Sequence, residues 1–424
     1  MSDPANALLE ARKKNYDLPE SPRSVGWTHI QRATVADSEN PFVLETGKTL
    51  WPVEVEYETY GRLNRTRDNA IMVFHALSGD AHVAGWDADA EKMGRTWRLA
   101  RPGWWDDFIG PGKPLDTGRY FIICANVLGS CYGTTGPTSM CPSAGEPYRM
   151  SFPAVSVGDW VRLHGRLLDH LGIDTLLAAI GGSLGGQQAL EFSLSMPERV
   201  RGAIILAASP WLSAQGLAFN AVARHVIMTD PHWNNGNYSS DKGPEHGLSA
   251  ARMIGHITYL SRMSMENKFG RRRGRTPSND RSEGWIVNEN GNGNSNGAFE
   301  EDPFFEVESY LRYQGSRFVQ RFDANSYLYI LRAMDHYDAS TWGHGDLIEA
   351  ARRVKCNNLI ISFTSDWLYP PGSCRDWATA LSRLGRSVTY VNIPSSYGHD
   401  AFLLEVEQEG NLVRSFIHQL EKID

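Results

Sequence analysis

Short, mainly apolar runs recur along the chain, each bounded by turn-forming residues: Ala70–Phe74, Tyr120–Cys124, Leu176–Ile180, Ala203–Leu206, Leu359–Phe363 and Val388–Ile393. Runs of that length without alternation predict strands buried on both faces of a parallel sheet. Trp51–Tyr60 (WPVEVEYETY) alternates apolar and polar positions instead, which predicts a half-exposed antiparallel strand. Helical periods lie between the runs. Val155–Leu171 leads into the Leu176 run, and Arg375–Leu384 separates the last two. Strands alternating with helices predict an α/β fold with a mostly parallel, doubly wound sheet.

Two segments break this rhythm. Residues 1–40 are rich in charge and turn formers and read as an N-terminal arm. From 210 to 344 helical patterns of Met, His, Arg and aromatic residues replace the strand signals, so a core of 41–209 and 345–424 carries a helical insertion. Inside the insertion, Lys268–Arg275 (KFGRRRGR) precedes Asn288–Gly297 (NENGNGNSNG), a composition that cannot bury a core and predicts a flexible loop near 270–300. A basic run beside such a loop is more often solvated surface than a phosphate site.

Composition narrows the class. In 424 residues, 41% hydrophobic and 21% charged, there is apolar material for a large core, which excludes a mainly disordered chain. The net charge of −7 leaves no basic footprint and excludes nucleic acid as the main partner. Met1–Arg23 is polar, and the densest apolar stretch, Ala203–Ala208, is far too short to span a bilayer, so no membrane is expected. Cys124, Cys131, Cys141, Cys356 and Cys374 are odd in number and lack CxxC spacing. Neither a disulfide framework nor a zinc site follows, and a cytoplasmic location is the expectation.

The chemistry concentrates at Leu176–Leu190 (LLAAIGGSLGGQQAL), an apolar run, then Gly181-Gly182-Ser183-Leu184-Gly185, then a helical pattern. G-x-S-x-G between strand and helix is the setting of a nucleophile elbow, where the sharp turn strains the serine and admits only very small residues two positions away. A phosphate loop would need Lys after its last glycine, but Gln187 stands there. Serine needs a base, and the base an orienting acid, in the chain order Ser, Asp or Glu, His. Asp366 follows the Leu359 run and His399 follows the Val388 run. Asp366 alone would read as a turn cap and His399 alone as structural, but both sit where α/β active sites collect, and in that order. The backbone N–H groups of Leu184 and of Leu77, after the Ala70 run, are the candidate oxyanion donors by position. His75 and His82 lack any metal-ligand pattern, so no metal is expected.

The segments FHALSGDAHVAGW, GWWDDFIGPGKPLDT, CYGTTGPTS, GGSLGGQQALE, RFDANSYLY, SDWLYPP and YGHDAFLLE together resemble the homoserine O-acyltransferases, a family of the α/β-hydrolase fold, from about Pro41 to the C-terminus. The resemblance implies a ping-pong transfer within methionine biosynthesis. An acyl group passes from acetyl-CoA (or succinyl-CoA), as co-substrate, to Ser183 and then to the hydroxyl of L-homoserine, with no bound cofactor. It further implies that Arg224, in FNAVARHVI, holds the acceptor's carboxylate, that the insertion is a lid, and that the lid contributes to a homodimer. An ammonium needs an anion beside the triad, and Asp400 directly follows His399. The chain departs from the family at Ser78, where Thr is common, at Leu184 and Gln187, where Met is common, and in a longer insertion.

Acetyl-CoA with homoserine is the favoured pair, with homoserine O-succinyltransferase and serine O-acyltransferase as close alternatives. An esterase or thioesterase would use the same triad with water, and would not need Arg224 and Asp400. A non-enzymatic binding protein would not need all three triad residues.

Overall fold

The computed structural model describes residues 16–239, 242–273 and 305–422. Eight strands form its central sheet: β1 (Gln31–Ala36), β2 (Val53–Tyr60), β3 (Ala70–Phe74), β4 (Phe121–Ala125), β5 (Ala178–Gly182), β6 (Gly202–Leu206), β7 (Asn357–Phe363) and β8 (Val388–Ile393). Their spatial order is β8-β7-β6-β5-β3-β4-β2-β1. β3 to β8 are mutually parallel, whereas β2 runs antiparallel to both β4 and β1. Parallelism brings the carboxyl ends of β3, β5, β7 and β8 to one edge, where Leu77, Ser183, Asp366 and His399 follow their strands.

Burial on both faces explains the apolar runs of β3 to β7. Along β3, Ala70, Met72 and Phe74 enter one core cluster while Ile71 and Val73 enter the other. Helices α1 (Val157–Leu171) and α2 (Leu184–Ser195) supply Val161, Leu167 and Phe192 to the first. α1 starts at a capping box of Ser156 and Asp159 and stops at Gly172 in the left-handed region. On the second face, the C-terminal helix Val406–Leu420 contributes Val413, Phe416 and Ile417.

Between β6 and β7 the described residues form no strand of the sheet. They fold into α3 (Ala214–Met228), α4 (Glu245–Tyr259), α5 (Arg262–Lys268), α6 (Glu306–Val319), α7 (Ala324–Asp335) and α8 (Leu347–Ala351), with short 3-10 turns. The Asn288–Gly297 tract and the end of the basic run, Gly274–Arg275, lie outside the described residues.

Four expectations shift. β8 is the edge of the sheet and only partly buried, with Thr389 and Asn392 exposed, rather than buried on both faces. Within residues 1–40, Trp27–Thr28 and Gln31–Ala36 are strands, and the second forms the edge of the central sheet, so the arm reading does not extend that far. Its alternation in QRATVA is the missed signal. The run at Leu176 enters the sheet only at Ala178, because β3 pairs there in the register Ile71 with Ala178, and the strand continues through two glycines. β2 is largely buried rather than half-exposed, because Glu56 and Glu58 carry ion pairs instead of facing water, and of its polar positions only Glu54 is exposed. Glu56 binds Arg95 at 2.6 Å and Arg32 at 3.0 Å, and Glu58 binds His82 at 3.2 Å. Buried carboxylates are tolerated when paired in this way.

Candidate active site

Ser183 sits between β5 and α2 with φ 58° and ψ −127°, a left-handed conformation unfavourable for a residue with a side chain. Close packing holds it there. A Cβ on Gly181 would meet the Gly185 backbone at 2.3 Å, and one on Gly185 would meet the Phe74 carbonyl oxygen at 2.1 Å. Only glycine lets the helix approach β5 and β3 so closely. The Ser183 N–H donates to the Leu206 carbonyl at 3.0 Å, which ties the elbow to β6.

The structure brings Asp366 and His399, the expected acid and base, together. His399 Nδ1 lies 2.8 Å from Asp366 Oδ2. The other oxygen, Oδ1, accepts the N–H groups of Leu368 at 3.0 Å and Tyr369 at 2.9 Å, so Asp366 caps its turn and orients the histidine together. A carboxylate at Nδ1 favours the tautomer with the proton on Nδ1, leaving Nε2 as the acceptor. Nε2 is buried and has no partner among the described residues, and the ring is packed by Tyr369 (5.2 Å between centroids), Phe402 (5.6 Å) and Tyr259 (6.2 Å). Ser183 and His399 line the same cavity, of about 240 Å³. Among the described residues no hydrogen bond joins Ser183 to His399 Nε2, and a serine–histidine pair of a catalytic site often tightens only in the substrate complex.

Leu77 also lines this cavity, and Leu184 begins α2 beside the nucleophile. Among the described residues, neither backbone N–H is used in a hydrogen bond, as expected for Leu184 at the first position of a helix. The histidines weighed against a metal lie apart in function. His75 Nε2 accepts from Val127 N–H at 3.3 Å, and His82 pairs with Glu58.

Asp400 reaches the cavity next to His399, and burial pushes its pKa up to about 6 despite the opposing pull of His399, Arg252 and Lys268. Arg224 is placed differently. Its Nη1 pairs with Asp335 Oδ2, Asn220 binds the other oxygen of Asp335 at 2.7 Å, and Arg224 is not among the cavity-lining residues although its neighbours Asn220 and Ala223 are. Sequence reasoning missed α4, which lines the cavity with Arg252, His256 and Tyr259, spaced four and three apart on one helical face. That 3.6-residue period carrying polar groups was the available signal. His256 Nδ1 lies 2.9 Å from Tyr310 Oη, and burial together with Arg252, Lys268 and Arg321 drives its pKa down to about 3, which keeps it neutral.

Residues 70–406 match the family model of the alpha/beta hydrolase fold. The chain is 46% identical to a homoserine O-acetyltransferase of Solidesulfovibrio magneticus, over 93% of each chain. It is 47% identical to that of Geobacter sulfurreducens, over 94% of this chain and 100% of the other. A crystal structure of the homoserine O-acetyltransferase from Bacillus anthracis superposes with a TM-score of 0.77 at 27% identity, covering 92% of this chain and 97% of that one. The crystal structure of esterase E22 does so with a TM-score of 0.76 at 28% identity, covering 92% and 99%.

Proposed function

The chain belongs to the homoserine O-acetyltransferase family of the α/β-hydrolase fold, and from that premise we propose how its own residues transfer the acetyl group of acetyl-CoA to L-homoserine. Ser183 Oγ attacks the thioester carbonyl as His399 Nε2 takes its proton, and Asp366 stabilises the imidazolium. The N–H groups of Leu77 and Leu184 receive the oxyanion, Leu184 with the positive end of the α2 dipole behind it. Collapse breaks the C–S bond, His399 protonates the departing thiolate, and acetyl-Ser183 remains. The homoserine hydroxyl then gives its proton to His399 and attacks the ester; the bond to Ser183 Oγ breaks, His399 returns the proton to that oxygen, and O-acetyl-L-homoserine leaves.

A cavity near 240 Å³ is smaller than the roughly 300 Å³ at the low end for drug-sized ligands, so it suits an acyl group and a small acceptor, with the nucleotide of CoA outside. Asp400 is the anion for the acceptor's ammonium. Arg224 is the cation for its carboxylate, one turn from Asn220 in the cavity wall, on exchanging Asp335 for the substrate. The helical insertion acts as the lid, and Leu217, Val222 and Met228, exposed on α3, support a homodimer formed through it. Among the described residues no helix is long and apolar enough to cross a membrane.

The observation that carries this reading is the His399–Asp366 pair behind the strained Ser183 in a cavity that also holds Asp400. Its test is release of CoA thiol in steady state with acetyl-CoA or succinyl-CoA and L-homoserine, L-serine or no acceptor. Acetyl-CoA with L-homoserine should be the fastest pair, with release dependent on the acceptor. Equal release without any amino acid would identify an esterase-like hydrolase, and no release with any pair would refute the transfer.

A further inference from the structure

Two arginines of the insertion converge on one residue of the loop after β3. Arg252, in α4, donates from Nη1 to Ser78 Oγ at 3.0 Å. Arg321, which follows α6, donates from Nη1 to the Ser78 carbonyl oxygen at 3.1 Å and to Tyr132 Oη at 2.9 Å. Phe318 is packed by both, its ring 4.7 Å from Arg252 Cζ and 5.0 Å from Arg321 Cζ. Ser78 belongs to a turn closed by Gly79 N–H on the Ala76 carbonyl at 2.9 Å, with Leu77 and Ser78 as its central pair. On the sheet side, Gln188 Nε2 of α2 holds the His75 carbonyl at 3.2 Å.

Grasping both the hydroxyl and the carbonyl of Ser78 leaves the turn little freedom to rotate, and hydrogen bonds from ionised donors are the stronger kind. The aim of the Leu77 N–H depends on that turn. Oxyanion donors act by being fixed before charge develops, and a misplacement of about 1 Å costs on the order of 100-fold in rate. We propose that Arg252 and Arg321 are positioning residues that clamp the Ala76–Gly79 turn through Ser78, so that the helical insertion sets the geometry of the oxyanion hole. This rests on the reading of Leu77 as an oxyanion donor and Ser183 as the nucleophile. Neither arginine touches the reacting atoms in this role, and the clamp contributes to the transition state rather than to donor binding.

The test compares wild type, Ser78→Ala, Ser78→Thr and Arg321→Lys in single-turnover acetylation of Ser183 by saturating acetyl-CoA. Binding of a small alkylboronic acid, whose tetrahedral adduct with Ser183 places an oxygen in the oxyanion site, is measured beside binding of free CoA. Ser78→Ala and Arg321→Lys should each slow acetylation by about tenfold, a fraction of the loss from deleting a donor outright. Boronate affinity should fall by a similar factor while CoA affinity holds, and Ser78→Thr, which keeps the hydroxyl, should restore most of both. Unchanged acetylation in both variants overturns the clamp, as does a loss confined to acetyl-CoA affinity or shared fully by Ser78→Thr. Wild type that forms no acetyl-Ser183 refutes the nucleophile reading itself, and the clamp with it.

Discussion

Asp366 divides its two oxygens between two tasks: Oδ1 is spent on two backbone N–H groups of its own turn, and Oδ2 on His399. The turn therefore fixes the direction in which the second oxygen faces. Asp400, one residue beyond the base, has the opposite problem. Burial raises its pKa to about 6, so ionising it costs the fold stability that is fully present below the unfolded carboxylate range and is lost as pH rises through about 6. Its charge is nonetheless what an ammonium needs. The ratio of kcat/KM for L-homoserine to that for acetyl-CoA should fall as pH drops through about 6, because His399 enters both half-reactions and cancels. In Asp400→Asn the ratio should be low and flat across that range, while thermal stability at pH 8 should exceed wild type. A wild-type ratio that is level between pH 5 and 7 contradicts the role of Asp400.

At the scale of elements, the elbow is a packing device. α2 approaches β3 until Gly185 touches the Phe74 carbonyl, and the loop leaving Phe74 carries Leu77. Gly185→Ala would place a Cβ 2.1 Å from that oxygen, which is backbone and cannot rotate aside. Such overpacking typically costs about 1–3 kcal/mol, and here the displaced strand end leads into the loop that carries Leu77. The variant should unfold at lower denaturant and also acetylate slowly. A wild-type unfolding midpoint would show that the contact is soft. This strand–turn–helix unit was legible in the sequence because its requirements are local: an apolar run, small residues flanking Ser183, and helical spacing after it. The strand at Ala70–Phe74 carried the same clear signal, whereas Val388–Ile393 is a strand at the sheet edge whose Thr389 and Asn392 are exposed. β2 was misread because alternation normally means one wet face, and no local pattern tells that Glu56 and Glu58 meet Arg95 and His82 from distant loops. The cavity face of α4 and the pairing of Arg224 with Asp335 were hidden for the same reason, since both depend on how the insertion docks.

Across the whole molecule, the insertion reaches the loops that follow β3, β7 and β8. Ser78 is held by Arg252 and Arg321. Trp367 Nε1, beside Asp366, donates to the Leu260 carbonyl at 3.0 Å, and Ser261 Oγ donates to the Ser396 carbonyl near His399. The sheet edge carries Ser183 and His399, and helices of the insertion line the cavity they share. A shape so close to both a transferase and an esterase means that fold alone does not choose between homoserine and water. The acyl-enzyme and its fate do. The most direct measurement mixes the protein with acetyl-CoA without acceptor, quenches in acid, and locates the added mass by peptide mapping, before and after a pulse of L-homoserine. One acetyl group on Ser183 that L-homoserine removes much faster than water, yielding O-acetyl-L-homoserine, is the predicted result. An acetyl group on another residue, none at all, or discharge at the same rate with and without L-homoserine would contradict it.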